Sequence, residues 1–154
     1  MRYNAYVNDS WDAKSKKGDQ AMTTEPKITE LTAEFGSAAL KPVFGPGVAL
    51  VWKRHEDGSL LTNVLWQVRH HSPSGFEIGY GGSGPADLAL NMMAALFPIR
   101  AGESTVQCFH GHVTERAWSL HQDFKFAFLA GADRSSGCLE WKEIEKWLAA
   151  HVTP

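Results

Sequence analysis

Cysteine is scarce in this chain. Its 154 residues hold two, Cys108 and Cys138, and no Cys-x-x-Cys pair. That excludes a disulfide framework and suits a reducing compartment, where sparse thiols are ordinary buried residues. Long hydrophobic runs are missing too. The longest nearly apolar stretch, Leu88 to Ile99, is broken by Asn91 and falls short of the roughly 20 residues a helix needs to cross a bilayer. The first residues lack the apolar core and cleavage site of a secretory leader. These absences lead to the expectation of a soluble, cytoplasmic protein with no membrane partner. A positive excess is also lacking: 15 Lys and Arg stand against 17 Asp and Glu, a formal net charge of −2. General nucleic-acid binding needs clustered cations to neutralise phosphates, so it is not expected. No Gly-Lys-Ser/Thr phosphate loop and no Gly-x-Ser-x-Gly elbow occurs. Carboxylates paired for acid–base chemistry are missing as well, since Glu140, Glu143 and Glu145 read as an exposed helix face. No catalytic residue, cofactor or metal is assigned, and the sequence specifies no reaction.

What is present describes a globular chain. Hydrophobic residues make up 44%, and six tryptophans and eight phenylalanines supply large core pieces. The length suits one domain that folds without metal or disulfide. Composition divides it into a polar, partly flexible N-terminal extension over 1–44 and a single domain over 45–154. Asp12 to Gln20 carries no apolar residue beyond Ala13 and cannot offset its own ordering entropy. Tyr3, Tyr6 and Trp11 are the residues of the extension suited to docking, Met22 opens a second plausible start, and Ile28 to Phe35 suits a short helix.

Periodicity gives the elements. Val48 to His55 reads as a strand and Glu56 to Ser59 as a turn with an Asp-Gly hairpin signal. Leu60 to His70 reads as a second strand, with Val64, Trp66 and Val68 alternating against a half-polar face of Leu65, Gln67 and Arg69. After a turn at His71 to Gly75, Phe76 to Tyr80 reads as a third. The period then changes: Pro85 to Phe97 carries Leu88, Met92 and Leu96 at helical spacing, and Pro98 ends it. Thr105 to His110 suits a short strand, Glu115 to Ala130 a second helix and Leu139 to Ala150 a third. The expected fold is α+β: a three- or four-stranded antiparallel meander with about three helices packed on one face.

The most distinctive segment joins the third expected strand to the first long helix. Gly79-Tyr80-Gly81-Gly82-Ser83-Gly84-Pro85 holds four glycines in six residues. Pro85 suits the first helical position, with Ser83 or Gly84 as cap and Asp87 facing the positive end of the helix dipole. At least one of Gly81, Gly82 and Gly84 is expected to hold a positive φ. Such a turn exposes backbone N–H groups, and glycine lets a phosphate or carboxylate approach them closely; equally, the glycines serve a sharp turn and nothing more. Gly79 to Pro85 are therefore the candidate ligand-binding residues. Lys125 joins them if the second helix packs beside the turn; the plainer reading puts His121 and Lys125 on a solvated helix face. Cys108, His110 and His112 alternate but lack the spacing of a closed zinc site. Adjacent His70 and His71 are expected to point to opposite faces of a strand.

The run Phe76-x-Ile-Gly-Tyr-Gly-Gly-Ser-Gly-Pro-Ala-x-Leu-Ala-Leu90 resembles the signature of an uncharacterised family of small bacterial and phage proteins, domain-of-unknown-function family 6166. Ile78 stands where that family carries an aromatic residue. A second block, His121-Gln-x-Phe124-Lys125 followed by Ile144-x-x-Trp147-Leu148, is similar as well. The resemblance covers roughly Val48 to Leu148 and implies a shared fold and a phage or mobile-element setting, not a reaction. The function it leads to is that of an accessory protein acting by binding, with a host protein such as a defence component, or a phage protein, as partner. The alternative is a binding protein or enzyme for a small anionic ligand held at the glycine turn.

Overall fold

A computed structural model of the chain describes residues 6–7, 30–36 and 47–152. In chain order these form strand β1 (Tyr6–Val7), helix α1 (30–35), β2 (Val48–Arg54), β3 (Leu60–Thr62), helix α2 (Ser83–Leu96), β4 (Thr105–Gln107) and β5 (His112–Thr114). Helix α3 (Glu115–Phe124) follows and runs on into a π-helical turn (Lys125–Leu129), and β6 (Ser136–Glu140) and α4 (Trp141–His151) end the series. A four-stranded sheet has the order β1-β3-β2-β6 with every pairing antiparallel, and β4 and β5 form a separate hairpin.

The β2–β3 hairpin closes through the Asp-Gly signal. Gly58 takes φ of 90°, the Ser59 carbonyl accepts from the His55 N–H, and the Asp57 carboxylate accepts from the Ser59 N–H. Leu50 and Trp52 then face a core shared with Leu88, Met92, Ala117, Phe124 and Ile144 of α2, α3 and α4. Val51 points the other way and meets Leu61, Leu31 and Phe35. Helix α1 thus covers the outer face, and its Glu30 and Glu34 hold Lys53 at 3.4 and 3.0 Å.

The α+β class holds, with three helices sharing one core against one face of the antiparallel sheet. The strand roster differs from the expectation. The second strand stops at Thr62, and Phe76 to Tyr80 joins no ladder. The remaining strand is β6, whose Cys138 pairs with Val51; the first turn expected of the last helix is therefore extended, and α4 starts at Trp141. Most of the N-terminal extension, including Tyr3, Trp11 and Met22, lies outside the described residues. Of that extension, Tyr6 and Val7 pair with Thr62 and Leu61, and 30–35 is helical as expected.

Candidate functional site at the glycine-rich turn

Helix α2 begins at Ser83 with Gly82 as its cap residue, and no side chain caps it. Ser83 is exposed, and Pro85 sits third in the helix. The expected Ser83 or Gly84 cap is therefore corrected, without strain, because Pro at any first-turn position lacks only an N–H that has no helical partner. The positive φ falls on Gly79, at 88°, and not on Gly81, Gly82 or Gly84. Close packing explains Gly84 instead: a Cβ there would stand 2.4 Å from the Glu77 Cβ and 3.0 Å from its backbone nitrogen. The turn is also tied to the π-helical segment, since the Gly79 N–H donates to the Leu129 carbonyl at 2.9 Å.

The same segment brings Lys125 to the turn. Its Nζ donates to the Gly81 carbonyl at 2.9 Å and lies 4.2 Å from the Phe126 ring centroid. The plainer reading of a solvated face is corrected: His121 is 2% and Lys125 5% exposed. Burial holds the Lys125 ammonium below its ordinary pKa. One residue on, Phe126 is 63% exposed, and Tyr80, next to Gly81 in the chain, is 40% exposed. The Arg134 guanidinium sits 5.6 Å from the Tyr80 ring centroid. Two exposed rings therefore belong to this turn, Phe126 against Gly81 and Tyr80 against Gly82, with a buried ammonium beside the first and a guanidinium beside the second. The Phe126 ring lies against the backbone here, because a Cβ on Gly81 would stand 3.2 Å from it.

Asp87 does not serve the helix dipole. It is fully buried, and its carboxylate accepts from the backbone N–H groups of His70, His71 and Ser72, the last two at 2.9 Å. One turn on, buried Asn91 accepts from the Gln67 and Val68 N–H groups and donates to the Val68 carbonyl. Side chains from α2 thereby meet the backbone needs that a neighbouring strand would otherwise meet. This is why the alternating run beyond Thr62 leaves the sheet. The sequence does carry a signal for it: Asp87 and Asn91 are the polar interruptions, at helical spacing, of an otherwise apolar stretch.

The loop so held carries His70 and His71 to α3. Their rings are 4.8 Å apart, edge to face, and both contact Trp118. The expectation of opposite faces fails because residues 63–72 do not form a strand. His71 Nε2 lies 2.9 Å from His121 Nε2, and His121 Nδ1 meets the Trp118 carbonyl. A carbonyl only accepts, so His121 carries its proton on Nδ1 and offers a lone pair at Nε2; His71 is then the Nε2–H donor. Burial drives His121 down from 6.5 to about 4, with Asp87 and the Trp118 carbonyl opposing in part. Burial likewise lowers His71. Cys108 is buried, which pushes its thiol up, while His110 and His112 are exposed. Among the described residues, no three His, Cys, Asp or Glu side chains are grouped to hold a metal ion. No helix among them is long and apolar enough to cross a membrane.

An α+β core with a packed glycine turn, a buried lysine and a carboxylate-held loop defines the site. The matching family model is described as a family of unknown function, DUF6166, and covers residues 46–150. The chain belongs to that family. No curated protein and no solved structure matches it.

Proposed function

We propose that the protein acts by binding another protein, and that the surface around the glycine turn is where it does so. The observation carrying this reading is the pair of exposed rings, Phe126 at 63% and Tyr80 at 40%, on a turn whose backbone is fixed by close packing. Aromatic side chains held rigidly at a surface lose little entropy on binding and are the usual anchors of interfaces. The lysine and arginine beside them favour a partner segment carrying carboxylates. The phage or mobile-element setting, with a host protein such as a defence component as partner, belongs to the same proposal and rests on the family resemblance. Affinity capture with wild-type, Phe126→Ser, Tyr80→Ala and Phe109→Ser baits tests it. Phe109 is 66% exposed on the β4–β5 hairpin and serves as the control for aromatic exposure as such. The expected result is a captured protein lost with the first two variants and retained with the third; equal capture by all four refutes the reading.

A second reading is favoured by one observation. The N-terminus of α2 has no side-chain cap and no acidic residue in its first turn, yet Lys125 sits beside it. Positive charge gathered there suits a phosphate or carboxylate ligand, for a binding protein or for an enzyme. Titration with inorganic phosphate, followed through the amide signals of Gly81, Gly82, Ser83, Gly84 and Ala86, tests this reading. Saturable shifts that disappear in Lys125→Met support it, and shifts that stay linear to high concentration refute it.

A further inference from the structure

We propose that His71 and His121 form an acid-sensitive latch that fastens the 70–72 loop to α3, and that protonation of both rings releases the His71 ring and loosens the Trp118 face while the fold persists. The proposal does not depend on either binding reading.

The geometry carries it. His121 has one basic nitrogen left, Nε2, because Nδ1 is committed to the Trp118 carbonyl. That nitrogen is occupied by the His71 N–H at 2.9 Å, with the Gln122 amide nitrogen at 3.3 Å. A first proton on the pair is tolerated, because a neutral His71 can shift to its Nδ1–H tautomer and accept from His121. Once both rings are cationic, two N–H groups confront each other and the contact turns repulsive. A proton on the His71 Nδ1 has no such effect, since its Nε2–H still donates. The latch thus opens at the second protonation of the pair, when neither ring has a lone pair left for the other.

The surrounding charges work in both directions. Asp87, behind the loop, favours protonation of both rings, whereas His70 opposes it in both and Lys125 opposes it at His71. Cys108, whose thiol Asp87 also influences, is neutral at acid pH. Burial outweighs these contributions, and His121 takes its proton at about 4.

The released part is small because the loop has a second anchor. Asp87 holds the backbone N–H groups of His70, His71 and Ser72 and needs neither ring. Release consequently frees the His71 side chain from its stacking on Trp118 and His121. The loop backbone stays in place.

Nitrogen-detected NMR of the intact protein, read from pH 7.5 to about 2.5 so that both sides of the transition are sampled, tests the latch. At neutral pH the expected tautomers are Nδ1–H for His121 and Nε2–H for His71. On acidification His121 should titrate near 4, with the His71 ring signals and the Trp118 indole signal moving at the same midpoint while far-ultraviolet circular dichroism stays constant. His71→Gln replaces the second cation with a neutral amide whose oxygen can accept from the His121 Nε2–H, and should raise the His121 midpoint above that of the wild type. His71→Asn is a second variant in case the first disturbs folding, and should do the same. An Nε2–H tautomer on His121, a wild-type His121 midpoint near 6.5, a midpoint unmoved by either variant, or loss of dichroism at the same pH would each overturn the proposal.

Discussion

Replacing Asp87 with Ala removes a carboxylate that accepts from three backbone N–H groups. The bonds from His71 and Ser72 are 2.9 Å long, and the one from His70 is split between the two oxygens at 3.3 Å. A hydrogen bond to a charged acceptor contributes about 1.5–3 kcal/mol net, so the two short bonds carry about 3–6 kcal/mol. Alanine returns part of the cost of burying the carboxylate, which amounts to several kcal/mol for an ion. The half-buried His71 N–H regains water, but the Ser72 N–H lies in a buried residue and is left without a partner. The expected loss is therefore about 3 kcal/mol, a large share of the roughly 5–15 kcal/mol that holds a domain together. Urea melts should show this as a lower midpoint with unchanged slope. The effect should also be local: amide exchange at 70–72 should accelerate more than exchange in the β2–β3 hairpin. Asp87→Asn keeps one acceptor and should lose about half as much. A loss under about 1 kcal/mol in Asp87→Ala, or unchanged exchange at 70–72, would refute the clasp.

Stability should fall with pH between 6.5 and about 4 because His121 takes its proton in the unfolded chain before it does in the folded one. The depressed folded value places the stabilising contribution above this window, and its loss ends below about 4. The full shift is worth up to about 3 kcal/mol, and local release of the latch reduces it; urea midpoints for wild type and His121→Phe measure the difference, and parallel pH profiles would contradict it. Gly79→Ala combines a φ of 88° with an approach of 2.2 Å to Arg134 Cγ and should cost about 1–3 kcal/mol in thermal melts. Gly131→Ala has open space and no positive φ and should stay within about 0.5 kcal/mol. Leu31→Ala should cost about 2–3 kcal/mol if α1 seals the outer face of the sheet, because Leu31 is fully buried there against Val51 and Leu61; a neutral substitution would show that α1 does not pack as described.

The sequence by itself determined the elements whose causes are local. Alternation and β-branching placed β2, Asp57-Gly58 placed its hairpin turn, and apolar spacing placed the cores of α2, α3 and α4. The glycine turn was legible because four glycines in six residues have few uses other than a sharp backbone path. The tertiary structure decided what depends on a distant partner. Val64, Trp66 and Val68 alternate as a strand does, but Asp87 and Asn91 supply the acceptors for the backbone at Gln67, Val68 and 70–72, and no spacing rule announces a partner up to 24 residues away. The same holds for β6, which reads locally as the start of a helix until β2 offers its edge across the fold. His121 and Lys125 look like a polar helix face because charge predicts solvent on average; they are buried because the His71 loop and the Gly81 carbonyl meet them there. Periodicity reports which face of an element is covered, and polar side chains report only that they need partners. Which residues cover the face, and which groups become the partners, is fixed when the elements pack.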